Sequence, residues 1–289
     1  MKQILKASLV GFLMAGLAVG CGSSKKKSDS SASADVADVQ LADDGSEADV
    51  PSLKDGTDAN DQSSKLDPKY RPLAQALRAG KSKLITEQAA KILGTNSNDP
   101  VALNALALVY IKRGQTGAAK LLLGRAFEKT PNSAALHNNY GVVQMQEDDG
   151  PGAISSFKKA LRQEPTHQQA LGNLGSVYMK GGDVTRALPL LEQSYKANKL
   201  NSGIANNYAI ALRQSGDLAG ASKLYEDLIK ANAKDVYAHL NYAILLIDFM
   251  NKPKDGLTLV YKIKFLETEK KDVLARANAL EKKAKAALQ

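Results

Sequence analysis

Few side chains in this chain of 289 residues are placed to do covalent chemistry. A single thiol, Cys21, excludes an internal disulfide. Three imidazoles, His137, His167 and His239, are dispersed, and none has Cys, His or carboxylate neighbours at a metal-binding spacing. Paired catalytic carboxylates and a glycine-rich phosphate loop are also missing. The polar group that does recur at fixed spacing is the amide. Asn139, Asn173, Asn207 and Asn241 are separated by strides of 34, with Ala105 occupying the earliest place on the same line. An amide both donates and accepts, so a row of them can pair with the main chain of an extended ligand and leave the ligand's side chains free. The same amides can instead bond locally. Either use is binding rather than turnover, so no catalytic residue, cofactor or metal is expected.

A repeat is what positions this row. Over residues 100–266 a stride of 34 returns small residues on two lines: Ala107, Gly141, Gly175, Ala209 and Ala243 on one, Ala119, Ala153, Ala187 and Ala221 on the other. Large residues run beside them as Leu106, Tyr140, Leu174, Tyr208 and Tyr242, and as Leu123, Phe157, Leu191 and Tyr225, with Gly114, Gly182 and Gly216 closing turns. Two small lines in phase with two large ones predict paired helices that approach closely, repeated head to tail. His137 and His239 share a line that packs against the preceding unit, which predicts interior imidazoles.

With Leu106-Ala107, Tyr110, Gly114, Ala119, Leu123, Ala126 and Pro131 in one unit, and Pro165 a stride further on, the chain resembles the tetratricopeptide repeat family. The resemblance implies an all-α, right-handed superhelical solenoid with five clear repeats over 100–266. Residues 70–99 form a degenerate first repeat, and 267–289 a capping helix. Local departures are Asp148-Asp149-Gly150 at one turn, Lys199 and Ala233 where proline would stand, and Leu228 on a small line. Pro189 is expected to bend its helix. The last unit needs one extra residue around 250–254 to bring Gly256, Val260 and Ile263 into phase. In the tail, Val273, Leu274, Ala277, Leu280, Ala284 and Leu288 share one helical face, which fits a cap or, alternatively, a membrane-surface helix.

In this family the first helices line a concave groove that holds a peptide or a partner's helix. The resemblance therefore implies a groove of Asn139, Asn173, Asn207 and Asn241 with Asn138, Asn206, Val142, Met145, Met179, Ile210, Ile244 and Ile247. Lys112, Lys180 and Arg213 lie nearby. The amide row is similar to the asparagine ladder in the tetratricopeptide domain of O-linked N-acetylglucosamine transferase, whose catalytic domain has no counterpart here. Such a groove suits a partly apolar protein segment with some negative charge, and no small-molecule substrate.

Charge divides the chain. Residues 22–69 carry six lysines against eleven acidic residues, a net of −5, whereas 70–289 carry 31 basic and 19 acidic residues, a net of +12. A basic domain suits nucleic acid, but the leader argues for export. Lys2 and Lys6 precede an uncharged run over 7–19, too short for the ~20 residues that cross a bilayer. Gly20 then stands before Cys21. Ala18-Val19-Gly20-Cys21 resembles the lipobox of bacterial lipoproteins, although Ala18 takes the place where Leu is favoured. This implies a signal peptide over 1–20 and a lipidated Cys21. It also implies an acidic, disordered tether over 21–69, with a root-mean-square span of roughly 40 Å. With Gly22 next, the inner leaflet of the outer membrane, facing the periplasm, is the expected location. Exported tetratricopeptide lipoproteins resemble type IV pilus pilotins and gliding-motility lipoproteins. The expected role is thus a scaffold or assembly factor for a pilus secretin or motility complex. The alternatives are a regulator of a peptidoglycan synthase and a subunit of an outer-membrane protein insertion machine.

Overall fold

A computed structural model of the chain describes residues 67–289 apart from 200 and 268. The leader, Cys21 and nearly all of the acidic segment lie outside those residues. Among the described residues there are thirteen α-helices and no strand. A short 3₁₀ turn, Pro68–Tyr70, leads into α1 (Arg71–Arg78) and α2 (Ser82–Thr95). Five longer pairs follow: α3 (Pro100–Lys112) with α4 (Thr116–Lys129), α5 (Ala134–Gln146) with α6 (Gly150–Gln163), and α7 (Gln168–Lys180) with α8 (Val184–Ala197). The fourth is α9 (Ser202–Ser215) with α10 (Leu218–Ala231), and the fifth is α11 (Val236–Ile244) with α12 (Pro253–Leu266). A single helix, α13 (Lys271–Ala286), closes the array on α12.

Close approach within a pair is set by the small lines. A Cβ added at Gly141 would lie 2.6 Å from the Phe157 ring, and one at Gly175 would lie 2.7 Å from Leu191 Cγ. The facing residues Leu123, Phe157, Leu191 and Tyr225 are fully buried. Burial of Leu123, Phe157 or Leu191 contributes ~1.5–3 kcal/mol each. Aromatic rings carry the packing between units, with Tyr195 stacked on Tyr208 and Tyr225 on Tyr242 at 5.5 and 5.8 Å.

Helix starts follow the same stride. Asp99, Ser133, His167, Asn201 and Asp235 cap α3, α5, α7, α9 and α11, each accepting from a backbone N–H in the first turn. Asp149, Asp183 and Asp217 do the same for α6, α8 and α10. These acceptors satisfy amides that the helix leaves unpaired, worth about 1 kcal/mol apiece. At the irregular turn, Asp148 takes the left-handed conformation (φ 58°) that Gly114, Gly182 and Gly216 take elsewhere, so the turn survives without glycine. Helix α8 runs continuously through Pro189 near its start. Buried Asp99 also accepts from the Tyr70 hydroxyl at 2.7 Å and from Lys69 Nζ at 3.3 Å, which ties the degenerate first pair to the regular array.

The extra residue of the last unit sits earlier than the expected 250–254. It is taken up by a π-helical turn, Leu245–Phe249, with Met250 N bonded to Leu245 O at 3.0 Å. One wide turn absorbs one residue inside the helix, which keeps the following loop short. The cap buries Val273, Ala277, Leu280 and Ala284, while Leu274 is half-buried. Leu288 lies past the helix end and is exposed, so it does not belong to the buried face expected for it.

Candidate peptide-binding groove

First helices touch one another at every step from α3 to α11, and no pair of second helices approaches as closely. The first helices therefore form the inner layer of the curve. Every groove residue read from the sequence lies on this layer: Lys112 on α3, Asn138, Asn139, Val142 and Met145 on α5, Asn173, Met179 and Lys180 on α7. Asn206, Asn207, Ile210 and Arg213 follow on α9, and Asn241 and Ile244 on α11, with Ile247 in the π turn. Lys112 and Lys180 are exposed at helix ends, and the others are buried.

The asparagines pair with each other. Asn139 Nδ2 donates to Asn104 Oδ1 at 2.8 Å, Asn173 Nδ2 to Asn138 Oδ1 at 3.0 Å, and Asn241 Nδ2 to Asn206 Oδ1 at 2.9 Å. Each bond crosses from one repeat to the preceding one. The acceptor line runs 104, 138, 172, 206, and at its third place stands Gly172, which has no side chain. Ser176, one turn further along α7, supplies the acceptor instead, taking Asn207 Nδ2 at 2.9 Å while its own hydroxyl donates to Gly172 O at 2.8 Å. Asn138 Nδ2 bonds Asn139 Oδ1 at 3.2 Å, which joins two of these clasps laterally. The row that the sequence suggested as a ladder for ligand main chain thus spends one N–H of each amide on holding neighbouring units together. The reason is geometric: successive inner helices are close enough for an amide to span them, and buried amides must be paired.

Asn206 differs from its neighbours. Its Oδ1 accepts from Asn241, but its Nδ2 is buried with no hydrogen-bond partner. An unsatisfied buried donor costs about 1–3 kcal/mol. On the same face of α9 stand Ile210 and Arg213, whose guanidinium lies 4.7 Å from the Phe249 ring centroid. Met179 and Lys180 of α7 and Ile244 of α11 flank them in the inner layer. The chemistry available is main-chain pairing, apolar contact and a basic rim.

His167 and His239 are buried, and His137 is half-buried. His137 lies against Phe127 of the preceding unit at 4.9 Å, and burial lowers its pKa. His239 is buried, with Nδ1 2.7 Å from Asp235 O. His167 Nδ1 accepts from Ala170 N at 3.1 Å, so this imidazole serves as a helix cap. Among the described residues no group of three His, Cys, Asp or Glu is arranged to hold a metal ion, and no helix is long and apolar enough to cross a membrane. Sequence reading missed the caps and Asn104. The signal for the first-helix caps was a stride of 34 in acceptor chemistry rather than in residue type, whereas Asn104 shares its type with Asn138 and Asn206 on its own line.

Comparison with known proteins gives the same architecture. The solved structure of pilF from Pseudomonas aeruginosa matches with a TM-score of 0.59 at 17% identity, over 75% of this chain and 95% of that one. A thermophilic TPR protein of Thermus thermophilus matches at 0.52 and 21% identity, over 62% of this chain and 97% of that one. Yeast Tom70 matches at 0.56 and 15% identity, over 76% of this chain and 46% of that one. At these identities the likeness is one of fold. No curated protein matches. The tetratricopeptide repeat profile matches residues 69–234, more than half of the chain. With the paired helices, the buried small lines and the inner layer of first helices, that match shows that this chain belongs to the tetratricopeptide repeat family.

Proposed function

We propose that the protein is a membrane-anchored scaffold that holds a segment of a cell-envelope protein in the inner groove and assists assembly of a pilus secretin or a gliding-motility complex. Family membership supports the coarser statement, a protein-binding scaffold. The observation that carries the groove assignment is Asn206 Nδ2, a buried donor without an acceptor, on the face of α9 that also carries Ile210 and Arg213. A ligand carbonyl would satisfy it, and acidic side chains on the ligand would meet Lys112 and Lys180. The leader supports anchoring: the lipobox-like Ala18-Val19-Gly20-Cys21 implies a lipidated Cys21, and Gly22 an outer-membrane destination facing the periplasm.

A photoreactive residue in place of Lys180 tests this in cells, with Lys158 on the outer face of α6 as the control position. The expected result is an adduct with an envelope protein from position 180 that is absent from position 158. It should be diminished when Lys112→Glu reverses the rim charge elsewhere in the groove. Equal adducts from both positions, or none from 180, would overturn the groove reading.

A further inference from the structure

The repeats act as internal controls for one another, and one surface departs from them. On the outer faces of the second helices, one stride line reads Gly124, Lys158, Glu192, Glu226 and, after the extra residue, Tyr261. A second line, one turn further on, reads Glu128, Arg162, Lys196, Lys230 and then Phe265. Charged residues fill seven of the eight earlier places. In the last unit both places are aromatic, and Phe265 is 80% and Tyr261 48% exposed. Two rings one turn apart on α12 form an apolar ridge that α13 leaves uncovered.

Lysines surround the ridge. Lys262 Nζ lies 5.9 Å from the Phe265 ring centroid and Lys285 Nζ 6.0 Å from that of Tyr261. Lys254 and Lys282 are exposed on the same two helices. Residues 250–289 carry ten basic and five acidic side chains, a net of +5. Aromatic rings among snorkelling lysines suit the boundary between acyl chains and headgroups, where rings enter a few ångströms and ammonium groups stay with anionic phosphates. A second copy presenting the same positive end would be repelled.

We infer that the terminal repeat is a membrane-contacting surface, with Tyr261 and Phe265 entering an anionic bilayer and Lys254, Lys262 and Lys282 binding its headgroups. This surface lies on the outer side of the solenoid, so it stands independently of the groove reading.

The chain contains no tryptophan, which provides the test. Full-length protein with Phe265→Trp is mixed with vesicles of phosphatidylglycerol and brominated phosphatidylcholine. The matching chain with Lys230→Trp, at the equivalent place one repeat earlier, carries the same leader and serves as the control. The expected result is a blue shift and bromine quenching at position 265 but not at 230. Both should fade in high salt and vanish with vesicles lacking phosphatidylglycerol. Lys262→Gln in the Phe265→Trp background should weaken partitioning about fivefold. Equal quenching at both positions would assign membrane contact to the leader and overturn the inference, as would no quenching at 265. A blue shift at 265 that grows with protein concentration without vesicles would assign the ridge to a second copy and also overturn it.

Discussion

At the scale of single residues, the amide row changes role once its neighbours are known. Asn173 and Asn207 are fully buried and donate to Asn138 and Ser176 of the preceding repeat. Asn173→Ala with Asn207→Ala removes two donors and leaves buried acceptors behind, at a cost of about 1–3 kcal/mol for each. The double variant should melt several degrees below the parent in a thermal scan, and an unchanged Tm would contradict the clasp assignment. Gly175 carries a second residue-scale expectation. An added Cβ would meet Leu191 Cγ at 2.7 Å and Ala187 O at 3.4 Å, so side chain and backbone crowd it from two sides. Gly175→Leu overpacks this contact and should lower stability by ~1–3 kcal/mol in urea titrations, whereas Gly117→Leu, with nothing near its Cβ, should cost far less. The places of the asparagines were legible in the sequence and their partners were not. A stride of 34 along one line looks the same whether the amide faces a ligand or the acceptor line of the unit before.

At the scale of elements, the cap helix α13 is held by packing and by two carboxylates, Asp248 of the π turn, 2.7 Å from Lys283 Nζ, and Glu281 of the cap itself. Glu281 takes Lys264 Nζ of α12 at 2.6 Å and Lys285 Nζ of its own helix at 2.6 Å, and these hydrogen bonds pull its pKa down to about 2 from an ordinary 4.5. A carboxyl group whose folded pKa lies below its unfolded one stabilises the fold fully above the unfolded value, and the contribution disappears as pH falls through the folded value. The α13 amides should accordingly lose exchange protection between about pH 4.5 and 2, and Glu281→Gln should flatten that loss. An identical profile in the variant would show that the carboxylate does not hold the cap. Helix number and pairing were legible, because close packing demands the same small and large types in every unit. The caps were less so: Asp, Ser, His and Asn share an acceptor, not a name. Placement of the extra residue missed by one turn because backbone widening over Leu245–Phe249 absorbed it, where side-chain pattern alone points to the loop.

At the scale of the whole molecule, the array has no single centre. Buried clusters follow one another along the chain, from Leu73 and Ile85, through Phe157 and Leu191, to Val260 and Leu280. Each unit is stable through its neighbours, so the architecture follows from the stride alone and was readable from sequence before any contact was known. Cys21 and nearly all of the acidic segment lie outside the described residues. The inner row of amides has a mechanical meaning as well. The four bonds of this row lie on the concave side, so the solenoid is a curved strip stitched along its inner edge. Any straightening of the curve has to stretch these stitches. Three stitches are amide to amide, and the one between α7 and α9 runs through a hydroxyl. The hydroxyl joint ends at Asn207, next to Asn206, whose donor has no acceptor. On the proposed reading, a segment held at Asn206 would therefore act on the same joint that sets the curvature between α7 and α9.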